Sequence, residues 1–247
     1  MEIKDIVSVL GRRKGSNNIS KGVNITAPLD YFEGGFDRHT SFSQILEDLG
    51  LSEDELQTKK ILFIGPGKWR YRAKEAKEKG LDAEFIDPIY RSRYGVMDPE
   101  VNDPETGWGV AKDSRAIAGV AEMLPFSNES FDFVLAHTSV PEYSTSVDNA
   151  LKALSEMIRV LKPQGQLRVF PFVIDPQIAT NIRAGLTSRS YEGPFKRFYE
   201  GQDKPMETLL NQDERIFLRK LEKKQDISHD LIRPDGEVVP FLVVTRR

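Results

Sequence analysis

The sequence predicts a doubly wound α/β fold: a mostly parallel sheet of seven strands with an antiparallel hairpin strand at its C-terminal end. Short apolar runs ending in Gly, Pro or Asp recur between Lys60 and Phe172. Segments of helix length separate them, the pattern of parallel strands joined by crossovers. Pro234-Asp-Gly-Glu237 then divides two closing strand candidates as a hairpin turn would.

Each element has a local reason. Residues 11–28 are rich in Gly, Ser, Asn and basic side chains without periodicity, and read as an irregular arm. Tyr31 and Phe36 flank a Gly-Gly turn. Phe42, Ile45, Leu46 and Leu49 recur at helical spacing until Gly50, so one helix is expected there, packed on a domain that begins near Lys59. Lys60–Ile64 is a first strand entering the turn Gly65-Pro66-Gly67. Trp69–Lys79 is a charged helix with Gly80 as its C-cap. Leu81–Ile86 is a second strand, ending at Asp87-Pro88. The Pro-, Gly-, Asp- and Asn-rich residues 90–115 read as a long loop. Ala116–Val120 and Phe131–Ala136 are the third and fourth strands.

Leu151, Leu154, Ile158 and Leu161 mark an amphipathic helix over Val147–Leu161, terminated by Pro163 and Gly165. Gln166–Phe172 is the fifth strand. A helical region follows at Met206–Lys223, then strands at Ile227–Arg233 and Val238–Arg246.

Composition narrows the chemistry. The 247 residues are 39% hydrophobic and 30% charged, enough for a sizeable core under a well-solvated surface. Lys and Arg number 35 against 38 Asp and Glu, so the chain lacks the basic excess of a nucleic-acid coat, although local basic patches stay open. Cysteine is absent, which removes disulfides, thiolate metal sites and a Cys nucleophile. His39, His137 and His229 stand far apart and without metal-ligand spacing, so no metal is expected. No targeting segment or membrane-length apolar run is visible, and the expectation is a soluble, cytoplasmic protein. Oligomeric state is not legible.

A doubly wound sheet binds ligands outside the carboxyl ends of its strands, where strand order reverses. Gly65 and Gly67 let the backbone turn sharply and approach a ligand. Asp87, ending the next strand, can accept two hydrogen bonds from a ribose diol. Arg70 stands where the third Gly of a dinucleotide fingerprint would, which argues against a nicotinamide or flavin cofactor.

Two strings go further. Ala121-Glu-Met-Leu-Pro-Phe-Ser-Asn-Glu-Ser-Phe-Asp-Phe-Val-Leu135 is followed by Ala153-Leu-Ser-Glu-Met-Ile-Arg-Val-Leu-Lys-Pro-Gln-Gly-Gln-Leu167. With Gly65-Pro66-Gly67 and Asp87 upstream, residues 59–172 resemble the class I S-adenosylmethionine-dependent methyltransferases, and within them the small-molecule type 11 group. The resemblance implies a Rossmann-like domain over 59–247, with 1–58 an extension carrying a lid and a helix. It implies S-adenosylmethionine as cofactor, with Gly65, Pro66 and Gly67 beside its amino-acid part, Asp87 on the ribose, and the backbone of Ala121 and Glu122 at the adenine edge. The implied activity is methyl transfer to O or N of a small or medium-sized acceptor.

His137 follows the fourth strand, where relatives line the acceptor pocket. It is the candidate base, and a strand-capping role is the alternative reading. Glu142 and Tyr143 are candidates on the acceptor side. The chain departs from the pattern at three positions. Phe63 replaces an acidic residue, Trp69 a glycine, and Val120 an adenine-facing aspartate. These departures keep a second reading open, a catalytically silent binding protein on the same fold. Residues 188–199 and Tyr90–Tyr94 interleave basic and aromatic side chains, as a lid or an acceptor platform would.

Overall fold

The computed structural model describes residues 41–66, 70–88, 116–142, 144–174, 205–233 and 240–247. The expectations for the 11–28 arm, the Tyr31–Phe36 turn, the 90–115 loop with its Arg91 and Arg93, the 188–199 stretch and the 234–237 turn lie outside them.

Two helices come first, α1 (Phe42–Asp48) and α2 (Glu53–Leu56). They are followed by β1 (Lys60–Ile64), α3 (Arg70–Glu78), β2 (Asp82–Asp87), β3 (Ala116–Ala118) and β4 (Phe131–His137). Next are α4 (Val147–Val160), β5 (Leu161–Phe170), α5 (Met206–Leu209), α6 (Gln212–Glu222), β6 (Ile227–Ile232) and β7 (Phe241–Arg246). The strands form one seven-stranded sheet in the order β3-β2-β1-β4-β5-β7-β6. β1, β2, β3, β4 and β5 pair in parallel, and β7 is antiparallel to both β5 and β6. Strand order reverses between β1 and β4, which puts the switch point where the Gly65 turn meets the end of β4.

The apolar run of β1 follows from its central place, because both of its faces are covered. Leu62 and Ile64 join Val134, Ala136, Leu167 and Val169 under α4 and α6. Ile61 and Phe63 join Phe85 and Leu135 under α1, α2 and α3. Serines start the helices: Ser41, Ser52 and Ser146 each accept a first-turn backbone N–H, which substitution by Ala would lose at about 1 kcal/mol per cap. Phe42, Ile45, Leu46 and Leu49 are buried, each contributing about 1.5–3 kcal/mol by leaving water. α1 is therefore part of the sheet's packing.

Two elements differ from the sequence expectation. The fifth strand does not begin at Gln166. It begins at Leu161, directly after α4, and ends at Phe170. Leu161 pairs with Phe131, and the register then shifts so that Gln166 pairs with Phe133. Lys162–Gly165 fills that shift: Gln164 sits at φ 63, and a Cβ on Gly165 would lie 2.9 Å from the Lys162 carbonyl oxygen. The Pro-Gly chemistry that reads as a break is accommodated as an irregularity inside the strand. Lys162 Nζ also donates to Asp132 Oδ2 at 2.8 Å, and the Lys60 N–H donates to the same oxygen at 2.9 Å. Burial alone would push the Asp132 carboxyl up, but these bonds and the lysine charges hold it below the usual carboxylate value.

The second difference is at Met206–Lys223, which is two helices broken at Leu210-Asn211. Asn211 caps α6 reciprocally with Glu214, and the buried Glu214 also accepts the Ile174 N–H at 3.1 Å.

Candidate functional site

The carboxyl edge of the sheet collects most of the residues singled out by sequence. Gly65 and Pro66 follow β1, Asp87 ends β2, Ala121 and Glu122 lie in the turn after β3, His137 ends β4, and Glu142 lies five positions beyond. Gly67, Trp69 and Tyr143 lie outside the described residues.

The two turns at the switch point touch. Gly65 holds φ 65, and a Cβ there would come within 2.5 Å of the Ser139 Cβ. Ser139 Oγ donates to the Ile64 carbonyl at 2.8 Å, and the Gly65 N–H donates to the Ile86 carbonyl at 2.8 Å. Gly65 is therefore required twice over, for its backbone conformation and for close approach. Asp87 is 7% exposed. The β2 and β3 ends adjoin, with the Gly119 N–H 3.4 Å from the Asp87 carbonyl. After β3 a Val120–Met123 bridge closes the turn, which buries Ala121 and leaves Glu122 exposed. Val120 is thus a turn-closing residue.

The two strings of the sequence, Ala121–Leu135 and Ala153–Leu167, hold the two halves of one clamp. Arg159 of α4 donates to the Leu124 carbonyl at 3.0 Å, the Phe126 carbonyl at 2.8 Å and Asn128 Oδ1 at 2.9 Å. It also grips both Glu156 oxygens, at 2.8 and 2.9 Å. Glu156 in turn accepts the Leu124 N–H at 2.9 Å. The Arg159 guanidinium and that N–H hold the Glu156 carboxyl below its ordinary value. Charged groups on one helix face thereby fix the loop beyond β3, at the backbone of Leu124 and Phe126 and at the Asn128 side chain.

Phe63 sits where the methyltransferase pattern has a carboxylate. Its ring stacks on Phe85 at 5.2 Å and tilts against Phe42 at 5.5 Å, and it is 5% exposed. A carboxylate there would be buried among aromatics, so the departure follows from α1 packing over the end of β1. Phe42, Ile45, Phe63, Ile64, Pro66, Phe85 and His137 line a small apolar cavity at this point.

His137 is 6% exposed and stacks on Phe170 at 5.4 Å. Its Nε2 lies 2.7 Å from Asp48 Oδ2 on α1, and its Nδ1 lies 3.3 Å from Thr138 Oγ1. Asp48, Thr138 and Ser139 were not singled out by sequence. The polar His137-Thr-Ser139 run closing an apolar strand was the available signal for two of them, and nothing local pointed to Asp48. Glu142 is 1% exposed. Among the described residues there is no cluster of His, Asp and Glu that could hold a metal, and no helix long and apolar enough to cross a membrane.

The family described as "Methyltransferase domain" matches residues 97–169, a span that ends in β5. None of the curated proteins matches. A Methanococcus maripaludis protein provisionally classed as an S-adenosyl-L-methionine-dependent methyltransferase is 14% identical over 96% of this chain and 97% of its own, with a TM-score of 0.48. A Methanosarcina mazei S-adenosylmethionine-dependent methyltransferase is 17% identical over 76% and 92%, with a TM-score of 0.43. The 16S rRNA (adenine(1408)-N(1))-methyltransferase of Catenulisporales acidiphilia is 16% identical over 83% and 91%, with a TM-score of 0.44. At such identities the likeness concerns the fold alone. Among the described residues, the sheet order with β7 antiparallel is a mostly parallel, Rossmann-like α/β arrangement consistent with a methyltransferase fold.

Proposed function

We propose that the protein is an S-adenosylmethionine-dependent methyltransferase of the type 11 kind, acting on O or N of a small or medium-sized acceptor. The observation that supports this reading is the burial of Asp87, His137, Ser139, Glu142 and Ser144 along one edge of an otherwise apolar sheet. Buried polar groups are costly unless used, and their concentration at a switch point is what a ligand site needs.

The donor set fits the nucleoside part of the cofactor. Asp87 would accept from the ribose hydroxyls, and the backbone of Ala121 and Glu122 would meet the adenine. Gly65, Pro66 and Gly67 would turn beside the amino-acid part. β1 offers no carboxylate to the ammonium, because Phe63 is there. The bound cofactor supplies a methyl group on a sulfonium, ready for in-line displacement. The chain's own work is then to orient the acceptor, exclude water and receive a proton. His137 is the candidate base, and Glu142 and Tyr143 would serve on the acceptor side.

The Phe42–Phe63–Phe85 packing favours a second reading, a fold of this class that binds a partner without catalysis. Calorimetric titration with S-adenosylmethionine and S-adenosylhomocysteine separates the two. Binding that weakens about ten- to a hundredfold in Asp87→Ala is expected, the loss of one charge-assisted contact of about 1.5–3 kcal/mol. No heat at millimolar cofactor sinks the enzyme and leaves the silent protein.

A further inference from the structure

We propose that Asp48, His137 and Thr138 form a proton relay in which a helix from outside the strand–helix repeat sets the state of the imidazole. The proposal rests on the methyltransferase reading above for its purpose, but its geometry stands without the cofactor. Asp48 is the positioning residue. Its Oδ2 lies 2.7 Å from His137 Nε2, which places the ring proton on Nε2 as the donor. The lone pair is then left on Nδ1, the nitrogen that faces Thr138 Oγ1 at 3.3 Å. Thr138 is less buried than His137, so the hydroxyl is the outer end of the chain.

Three further observations belong to this arrangement. Thr138 holds φ 47, a conformation that a β-branched residue adopts at a real cost in strain. Its N–H is held by the Phe170 carbonyl at 2.7 Å, so the strained backbone is fixed from β5. Arg168, also on β5, donates to the Leu49 and Gly50 carbonyls at 2.9 and 2.6 Å, which pins the end of α1 next to Asp48. Among the described residues, Phe63, Ile64, Pro66 and Phe85, which line the small cavity with the ring, and Phe170, which stacks on it, carry no charge. Of the described residues, Asp48 is the charged group in contact with the imidazole.

The step balances as follows. As the acceptor's O or N bonds to the methyl carbon, the sulfur–carbon bond breaks and its electron pair stays on sulfur. The acceptor's proton passes to Thr138 Oγ1 while the hydroxyl's own proton moves to His137 Nδ1. The resulting imidazolium lies against the Asp48 carboxylate until solvent takes the proton.

The test is nitrogen-15 NMR of the His137 ring in the cofactor-free protein, with Asp48→Asn and Thr138→Val as variants. At pH 8 the wild type should show a neutral ring with its proton on Nε2. In Asp48→Asn, with the carboxylate that fixes the tautomer gone, a share of the ring protons should move from Nε2 to Nδ1. Thr138→Val should move the Nδ1 signal and leave Nε2 in place. A wild-type ring protonated on both nitrogens at pH 8 would mean a structural ion pair and overturn the relay, as would a proton on Nδ1 alone or a tautomer indifferent to Asp48→Asn. Cofactor titration of Asp48→Asn keeps the two readings apart. Unchanged affinity with an altered ring supports the relay. Loss of cofactor binding in the variant while its ring still matches the wild type counts against it.

Discussion

Gly65→Ala should lower the melting temperature by about 5–15 °C and abolish most cofactor affinity. Two costs add. Holding an L-residue in the left-handed region costs about 1–2 kcal/mol. The new methyl also has no room, since it would lie 2.5 Å from Ser139 Cβ. Ser139 must then move and release the Ile64 carbonyl, at about 1–3 kcal/mol for a buried bond unmade. A domain of this size loses about 2–4 °C per kcal/mol. Gly80→Ala is the control: it shares a positive φ, 70, but meets nothing within 4 Å. Its loss should be about 1 kcal/mol, backbone strain alone. Pairing Gly65→Ala with Ser139→Gly should recover part of the stability. Equal losses for Gly65→Ala and Gly80→Ala would show that the contact between the two turns contributes nothing.

The second large effect is expected for Arg159→Ala. It removes the donors to Leu124, Phe126 and Asn128 and leaves Glu156 without its guanidinium. The arginine is 30% exposed, so solvent screens part of each bond, and the sum is about 2–4 kcal/mol rather than the full value of charged contacts to four partners. Acid gives an independent check. The Arg159 guanidinium and the Leu124 N–H hold the folded-state carboxyl of Glu156 below the ordinary glutamate value. Its contribution is therefore fully present above that value and is lost as pH falls through the folded-state one. Wild type and Glu156→Gln should differ by about 1–2 kcal/mol at neutral pH and converge in acid. Denaturant melts that stay parallel down to pH 2 would remove the clamp from the account.

These two variants also mark what the sequence could and could not disclose. β1 was legible because a strand covered on both faces is apolar along nearly all its length, and β2 and β4 because their apolar residues, interrupted by Asp82, Glu84 and Asp132, still end in residues that turn. The break between α5 and α6 was legible in principle, since Asn211 and Glu214 have the spacing of a reciprocal cap, but an apolar helical pattern on both sides masks it. The start of β5 was not legible. Pro163 and Gly165 carry turn chemistry, and only the pairing of Leu161 with Phe131 keeps them inside a strand. The Glu156 and Arg159 positions were visible as a string, yet their work is done on backbone atoms some thirty positions earlier, which no side-chain pattern records. Asp48 was hidden for a stronger reason. It lies ahead of the point near Lys59 where the sequence leads one to expect the sheet domain to begin, in a segment whose only local signal is the apolar stripe of α1, and its partner is on a strand 89 positions away. Phe63 is the reverse case. Sequence flagged it as a departure, and the packing of Phe42 over it supplies the cause.

The grip of Arg168 on Leu49 spans 119 positions of chain. Contacts of that reach close long loops, so they form only after nearer pairings have confined the chain, and they are the first to be released. α1 is seven residues long, too short to persist as a helix once detached. The end of β4 can therefore be uncovered by a local excursion that leaves the sheet intact. Hydrogen exchange at the α1 amides should report an opening of lower free energy than that of the β4 and β5 amides, and matched values would mean the helix leaves only when the whole domain does. Access to the switch point would then be governed by the chain entropy of an early segment.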